Sequence, residues 1–186
     1  MRVRQFTFVL VSLVANALMM ASLVAQDMPP MPVPAEEHKI LAKFSGEWDC
    51  ESEAFMSPGS EPMVSKGKMT GRKLGEFWAL IDLSADFGGM DFKAQGTFGY
   101  DEKAKRYIGT WVDNMTGFMW KYDGEMVGNK LVLNSEGPSM DGSGKMVKAR
   151  DSWEFRDDNT MVLTGEFEGE DGKMFKVMEA TFKRKQ

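Results

Sequence analysis

Cysteine and histidine are almost missing from this 186-residue chain, which has one of each. A single cysteine closes no intrachain disulfide and builds no multi-cysteine zinc or iron–sulfur centre. A single histidine excludes a His-rich metal centre. Basic charge is in deficit, 23 Lys and Arg against 28 Asp and Glu, a net of −5. That balance disfavours nucleic acid, which attracts clustered Lys and Arg. Glycine is absent before Gly46, and all 19 glycines follow from there. What remains is ordinary for a globular protein: 42% hydrophobic, 27% charged and 11% aromatic, too apolar for disorder. A folded body of about 160 residues buries roughly 68–70% of its unfolded surface, enough for a core without covalent staples. One domain is expected, with no internal repeat and no second-domain linker.

The first 25 residues have different chemistry. Arg2 and Arg4 precede an apolar run from Phe6 to Val14, small residues follow, and Ala25 comes just before Gln26-Asp27. A basic start, an apolar middle and a small-residue exit are the layout of a secretory signal. The rival is an uncleaved anchor, because Phe6–Ala25 is 20 residues long. Asn16 in its middle and the small-residue end favour cleavage. No Cys adjoins the exit, which argues against a lipid anchor. Loss of Arg2 and Arg4 leaves 21 basic and 28 acidic residues. The expected product is an acidic protein in the periplasm or outside the cell, not stably inserted in a membrane. Its oligomeric state is open.

Residues 26–34 hold four prolines (Pro29, Pro30, Pro32, Pro34) and read as an extended leader. The domain proper is expected over 35–186. Ala35–Phe44 is its one helical window, with Glu36 and Glu37 in the first turn. His38, Leu41 and either Ile40 or Phe44 form its apolar side. Beyond Phe44 the period drops to two. Nine turn signals separate ten strand candidates: Trp48–Phe55, Val64–Arg72, Phe77–Phe87, Asp91–Tyr100, Arg106–Asp113, Phe118–Asp123, Lys130–Asn134, Met146–Phe155, Met161–Phe167 and Phe175–Arg184. Short, evenly spaced strands with tight turns predict an all-β fold: a ten-stranded antiparallel up-and-down barrel behind a short N-terminal helix. Closure removes exposed sheet edges.

Alternation assigns the faces. Ala79, Ile81, Leu83 and Ala85 oppose Asp82, Ser84 and Asp86; Val147, Ala149, Trp153 and Phe155 oppose Lys148, Arg150 and Glu154. The inward sides are apolar and carry many small residues. Ten strands leave more room than eight, so an internal cavity is expected; the alternative is a barrel filled by Phe, Trp and Met side chains.

The stretch EHKILAKFSGEW (Glu37–Trp48) places a short helix before a Gly-x-Trp that opens the first strand. It resembles the lipocalin and fatty-acid-binding superfamily. That resemblance implies that Trp48 plugs one barrel end and that Arg184, late in the last strand, packs over it. With GTFGYDEKAKRYIGTWVDNMTG (Gly96–Gly117) and WEFRDDNTMVLTGEFEGEDGKMFKVMEATFKRK (Trp153–Lys185), the pattern resembles the bacterial domain-of-unknown-function family 1579 (DUF1579) over about residues 35–185. The resemblance implies a lipocalin-like barrel, often exported, with no established activity. The strand count is also similar to haem-binding nitrobindin-type barrels, which ligate iron through a late-strand His. No His follows His38 here, so no cofactor is expected.

Catalytic patterns are not found. The only His lies on the helix, away from any nucleophile. Gly137-Pro138-Ser139-Met140-Asp141 lacks the final Gly of a nucleophile elbow. Gly142-Ser143-Gly144-Lys145 lacks the leading Gly and the following Ser or Thr of a phosphate loop. Asp157-Asp158 and Glu168–Asp171 lie in turns without the ladder of a calcium loop. Cys50 reads as a small buried hydrophobe. Methionine is abundant, 14 beyond residue 25. Met28, Met31 and His38 offer soft ligands for copper(I); the alternative is pliable cavity lining.

The aromatic set is the best candidate for binding. Tyr107, Trp111 and Asp113 share one side of the fifth strand, and Trp120 and Tyr122 one side of the sixth. Trp153 joins them, and Asp151 falls on the same inward side. A carboxylate there must be paired or line a pocket. The expected function is non-catalytic binding of a small apolar or amphipathic molecule. Two alternatives stay open: an envelope interaction module with a filled barrel, and an enzyme using scattered carboxylates.

Overall fold

In the computed structural model, ten strands form one closed antiparallel barrel behind a short helix. The structure describes residues 31–186 apart from Met56, Pro58 and 140–142. The signal sequence expected over 1–25 and the first part of the 26–34 leader lie outside the described residues. The strands are β1 (Gly46–Ala54), β2 (Met63–Leu74), β3 (Trp78–Phe87), β4 (Met90–Asp101), β5 (Arg106–Asp113), β6 (Trp120–Val127), β7 (Lys130–Pro138), β8 (Met146–Phe155), β9 (Thr160–Glu168) and β10 (Met174–Arg184). Each pairs with its sequence neighbours, and β1 pairs with β10 from Trp48↔Arg184 to Ala54↔Met178. Closure leaves no unpaired edge. Among the described residues no helix is long and apolar enough to cross a membrane.

The helix is a 3-10 helix over Glu36–Phe44, not an α-helix. Its period of three decides the open choice between Ile40 and Phe44. At three residues per turn, positions 38, 41 and 44 eclipse on one line, and His38, Leu41 and Phe44 are the buried residues. Runs this long are uncommon for 3-10 geometry. This one is held by seating Phe44 and Leu41 in the barrel end, at 0% and 2% exposure. Gly71 makes that seat possible. A Cβ there would stand 1.9 Å from the Phe44 carbonyl oxygen.

Two strands, Arg106–Asp113 and Met146–Phe155, have the expected bounds; the others differ by one or two residues, except that β6 and β7 each run four residues further, to Val127 and Pro138. β7 runs on through Pro138, past the turn expected from Glu136, and its inward Gly137 is the floor beneath the Trp120 ring. β6 starts at Trp120, not Phe118. The reason is the β5–β6 connection, where the Asp113 carboxylate accepts from the backbone N–H of Met115 and of Thr116, both at 2.9 Å. Asn114 accepts from Lys93 N–H at 2.8 Å and donates to the Asp91 carbonyl at 2.8 Å. These bonds hold the loop in its own turn, so the ladder resumes only at Trp111↔Trp120.

The two barrel ends differ. The helix and the tight turns close one end. Below it, Phe44 stacks on Phe98 at 5.2 Å between ring centroids and meets Trp153 edge-on at 5.1 Å, and Trp153 lies 5.3 Å from Phe182. All four rings are at most 1% exposed. This half is a packed aromatic core. At the other end the inward side chains Leu83, Phe92, Trp111, Trp120, Phe167 and Met178 remain only half-buried.

Candidate functional site

The closed end is held by the first and last strands. Trp48 is 1% exposed, and its indole N–H donates to the Phe44 carbonyl at 3.0 Å. The Arg184 guanidinium lies over the Trp48 ring at 4.0 Å and donates to the carbonyls of Ser45 and Asp158 at 2.5 and 2.8 Å. One side chain thus combines a cation–π contact with satisfaction of the orphaned carbonyl at the helix end. Tyr107 belongs to this end too. Its hydroxyl donates to the Glu37 carbonyl at 2.9 Å, and burial with the nearby Glu37 charge pushes its ionisation up to about 12. Trp153 lies within the packed rings. Neither residue reaches the open half.

The remaining candidates are brought together. Trp111 and Trp120 are direct cross-strand partners, as are Gly109 and Tyr122. Trp120 packs edge-on against Phe118 at 5.2 Å and leans on Phe167 at 5.6 Å. Where the aromatic floor meets this cup, the Tyr122 hydroxyl donates to the Asp151 carboxylate at 2.5 Å. Burial raises the Asp151 carboxyl from 3.8 to about 6, opposed by the Tyr122 hydrogen bond. Burial and the Asp151 charge hold Tyr122 protonated well beyond its usual range. Asp151 is deeply embedded in the protein yet keeps accessible surface. Asp113 closes the row at the mouth, half-buried and committed to its turn.

The rim of the mouth is methionine-rich. Met63, Met90, Met115, Met119 and Met146 are 39–51% exposed, and all belong to the ends of strands or the connections at the open end. They surround the opening with flexible, polarizable side chains. Of the copper candidates, Met28 lies outside the described residues and His38 is buried. His38 packs edge-on against Phe77 and Tyr100, with a ring nitrogen 3.3 Å from the Ala35 carbonyl. Cys50 is buried, and burial with the adjacent Glu51 charge pushes its thiol up to about 12, so it is no thiolate at neutral pH.

Two concavities lie on the outer wall. A groove of about 560 Å³ crosses β1–β3 among Asp49, Glu51, Lys66, Lys68, Asp86 and Asp91, and one of about 350 Å³ lies beside Lys148, Arg150 and Glu168. Each contains an ion pair within its own lining: Lys66 with Glu51 at 3.0 Å, and Lys148 with Glu168 at 3.0 Å. Their charged linings are outward wall residues of both signs, and the inward aromatics of the open half are the better candidate.

Sequence comparison gives the family. Residues 33–184 match the family described as "Protein of unknown function (DUF1579)". The chain belongs to DUF1579. No curated protein matches this DUF1579 member. Among solved structures it is similar to Rv2717c from M. tuberculosis, at 10% identity and a TM-score of 0.58, covering 83% of this chain and 100% of that one. It is also similar to the S-type phycobiliprotein lyase CPES from Guillardia theta, at 9% identity and a TM-score of 0.56, covering 82% and 94%. At such identities the likeness is one of fold.

Sequence reasoning missed Ser135 and Gly137. Ser135 Oγ is buried with no hydrogen-bond partner, on the inward face beside Ala149. The continued period-two pattern through Leu131, Leu133, Ser135 and Gly137 was the available signal; Gly137-Pro138 read as a turn obscured it.

Proposed function

We propose that this DUF1579 protein is an exported, non-catalytic carrier or receptor that holds a small apolar or amphipathic molecule in the open half of its barrel. One observation carries the reading: inward-facing Trp111, Trp120, Phe92 and Phe167 stay half-buried, while the rings of the closed half are excluded from solvent. Large inward aromatics left accessible in a closed barrel describe a wall with space beside it. The aromatic lining supplies apolar contact, and Tyr122 and Asp151 supply a few fixed polar groups, the usual composition of a small-molecule site. Export rests on the basic, apolar and small-residue order of residues 1–25.

Native mass spectrometry of the protein purified after bacterial expression tests both parts. The expected spectrum shows a chain lacking its first 25 or so residues, with a discrete added mass of small-molecule size. A barrel that takes up nothing from the host or from a lipophilic library refutes the binding reading.

The alternative envelope interaction module gains support from the exposed methionines at the rim, since pliable Met surfaces suit protein partners. A stoichiometric partner retained at the rim, with no small molecule ever bound, would favour it.

A further inference from the structure

The inner wall of the open half has charge of one sign only. Along the described strands, the inward positions of this half carry two ionisable carboxylates, Asp113 and Asp151, and no Lys or Arg. Asp113 is engaged by its own loop. Asp151 has one partner, the Tyr122 hydroxyl. An ionised carboxylate offers about four acceptor positions, so most of its capacity is unused.

Many carboxylates on the outside of this barrel are matched by cations, such as Glu51 by Lys66 and Glu168 by Lys148. The adjacent Arg150 shows the ordinary arrangement, but it points outward and pairs with Glu166 at 2.8 Å. Asp151 has no such neighbour, although an embedded carboxylate without a countercharge is costly. One inward step toward the mouth on the neighbouring strand, Ser135 Oγ is also buried without a partner. Above both, Trp111 and Trp120 supply ring faces, which attract cations and repel anions.

We infer that the ligand of this cup is an organic cation: an ammonium head seated on the Tyr122–Asp151 pair, with an apolar body against Trp111 and Trp120. The inference rests on the ligand-binding reading above and specifies the chemical class that reading leaves open. The ammonium provides the missing countercharge, and its N–H groups reach acceptors that nothing in the protein fills. A fatty-acid-type anion meets a carboxylate at the same place and no basic residue to hold it.

Three probes of one chain length separate the possibilities: dodecylammonium, dodecanol and dodecanoate. Each is titrated calorimetrically into the mature protein below its micelle concentration at about pH 7.5, where an acid titrating near 6 is mostly ionised. Dodecylammonium should bind at least about tenfold more tightly than dodecanoate, a difference well within what one desolvated ion pair supplies. Asp151→Asn should abolish that preference by weakening dodecylammonium alone by about tenfold or more, and a urea-unfolding transition no lower than the parent's at about pH 5 or above reports that the variant is folded. Tyr122→Phe should retain the preference, because the carboxylate remains. Dodecanoate binding as tightly as dodecylammonium, or a preference that survives Asp151→Asn, overturns the inference while leaving the cup a binding site. Failure of all three probes to bind overturns the ligand-binding reading as well.

Discussion

Replacing Asp151 by Asn tests the energetics of the cup without any ligand. Burial lifts the Asp151 carboxyl from 3.8 to about 6. At about 1.4 kcal/mol per tenfold change, keeping the charge in the folded state costs about 3 kcal/mol. The sign follows from linkage. The folded protein holds this proton to higher pH than the unfolded chain, so stability falls as pH rises from about 4 to about 6 and is flat above. Asn is nearly isosteric, accepts the Tyr122 hydroxyl as the carboxylate does, and carries no charge. The variant should therefore be more stable than the parent at about pH 7.5, and the gap should shrink by about 2 kcal/mol at about pH 4. Urea unfolding followed by tryptophan fluorescence measures both at each pH. Other acids titrate with the opposite sign: Lys43 and Lys148 hold the exposed Asp158 and Glu168 carboxyls below their usual range, so what they contribute is lost on acidification. They are common to both proteins and cancel in the difference. A gap that does not change with pH, or a variant less stable than the parent at about pH 7.5, refutes the assignment of Asp151 as an uncompensated interior charge.

Two further outcomes concern the closed end and the core. Gly71→Ala puts a methyl 1.9 Å from the Phe44 carbonyl oxygen. Since backbone cannot yield cheaply, the helix must lift, and urea unfolding should show a loss of about 2 kcal/mol or more. Gly117→Ala, whose methyl meets nothing within 4 Å, should change stability by less than about 0.5 kcal/mol; equal losses in the two variants would refute the seating of Phe44 on Gly71. The Cys50 thiol, buried and pushed up to about 12, should resist a thiol reagent near neutral pH in the native protein and react at once in denaturant. Rapid stoichiometric labelling of the native state would contradict its burial.

The path from residues to fold was short because a strand writes its two faces into the sequence. Side chains alternate with a period of two. Val147, Ala149, Trp153 and Phe155 could therefore be placed inside, and Lys148, Arg150 and Glu154 outside, with no coordinates. Two of the expected strands, Arg106–Asp113 and Met146–Phe155, have those same bounds in the structure. The helix was legible as an element but not as a 3-10 helix, because its period is set by the barrel end it packs against rather than by local propensity.

Composition, periodicity and turn chemistry alone determined the class of fold, the strand count and the facing of most strand residues, because all three are local and repeat along the chain. Height within the barrel is different. Alternation says in or out, but not whether an inward residue lies under the helix or near the mouth. That depends on hairpin register and on closure of β1 with β10, which are long-range. Tertiary structure alone therefore sent Tyr107 and Trp153 into the packed half and gathered Trp111, Trp120, Tyr122 and Asp151 in the half above it. It also left Asp151 without a countercharge, because its nearest basic neighbour in sequence, Arg150, faces the opposite side of the sheet.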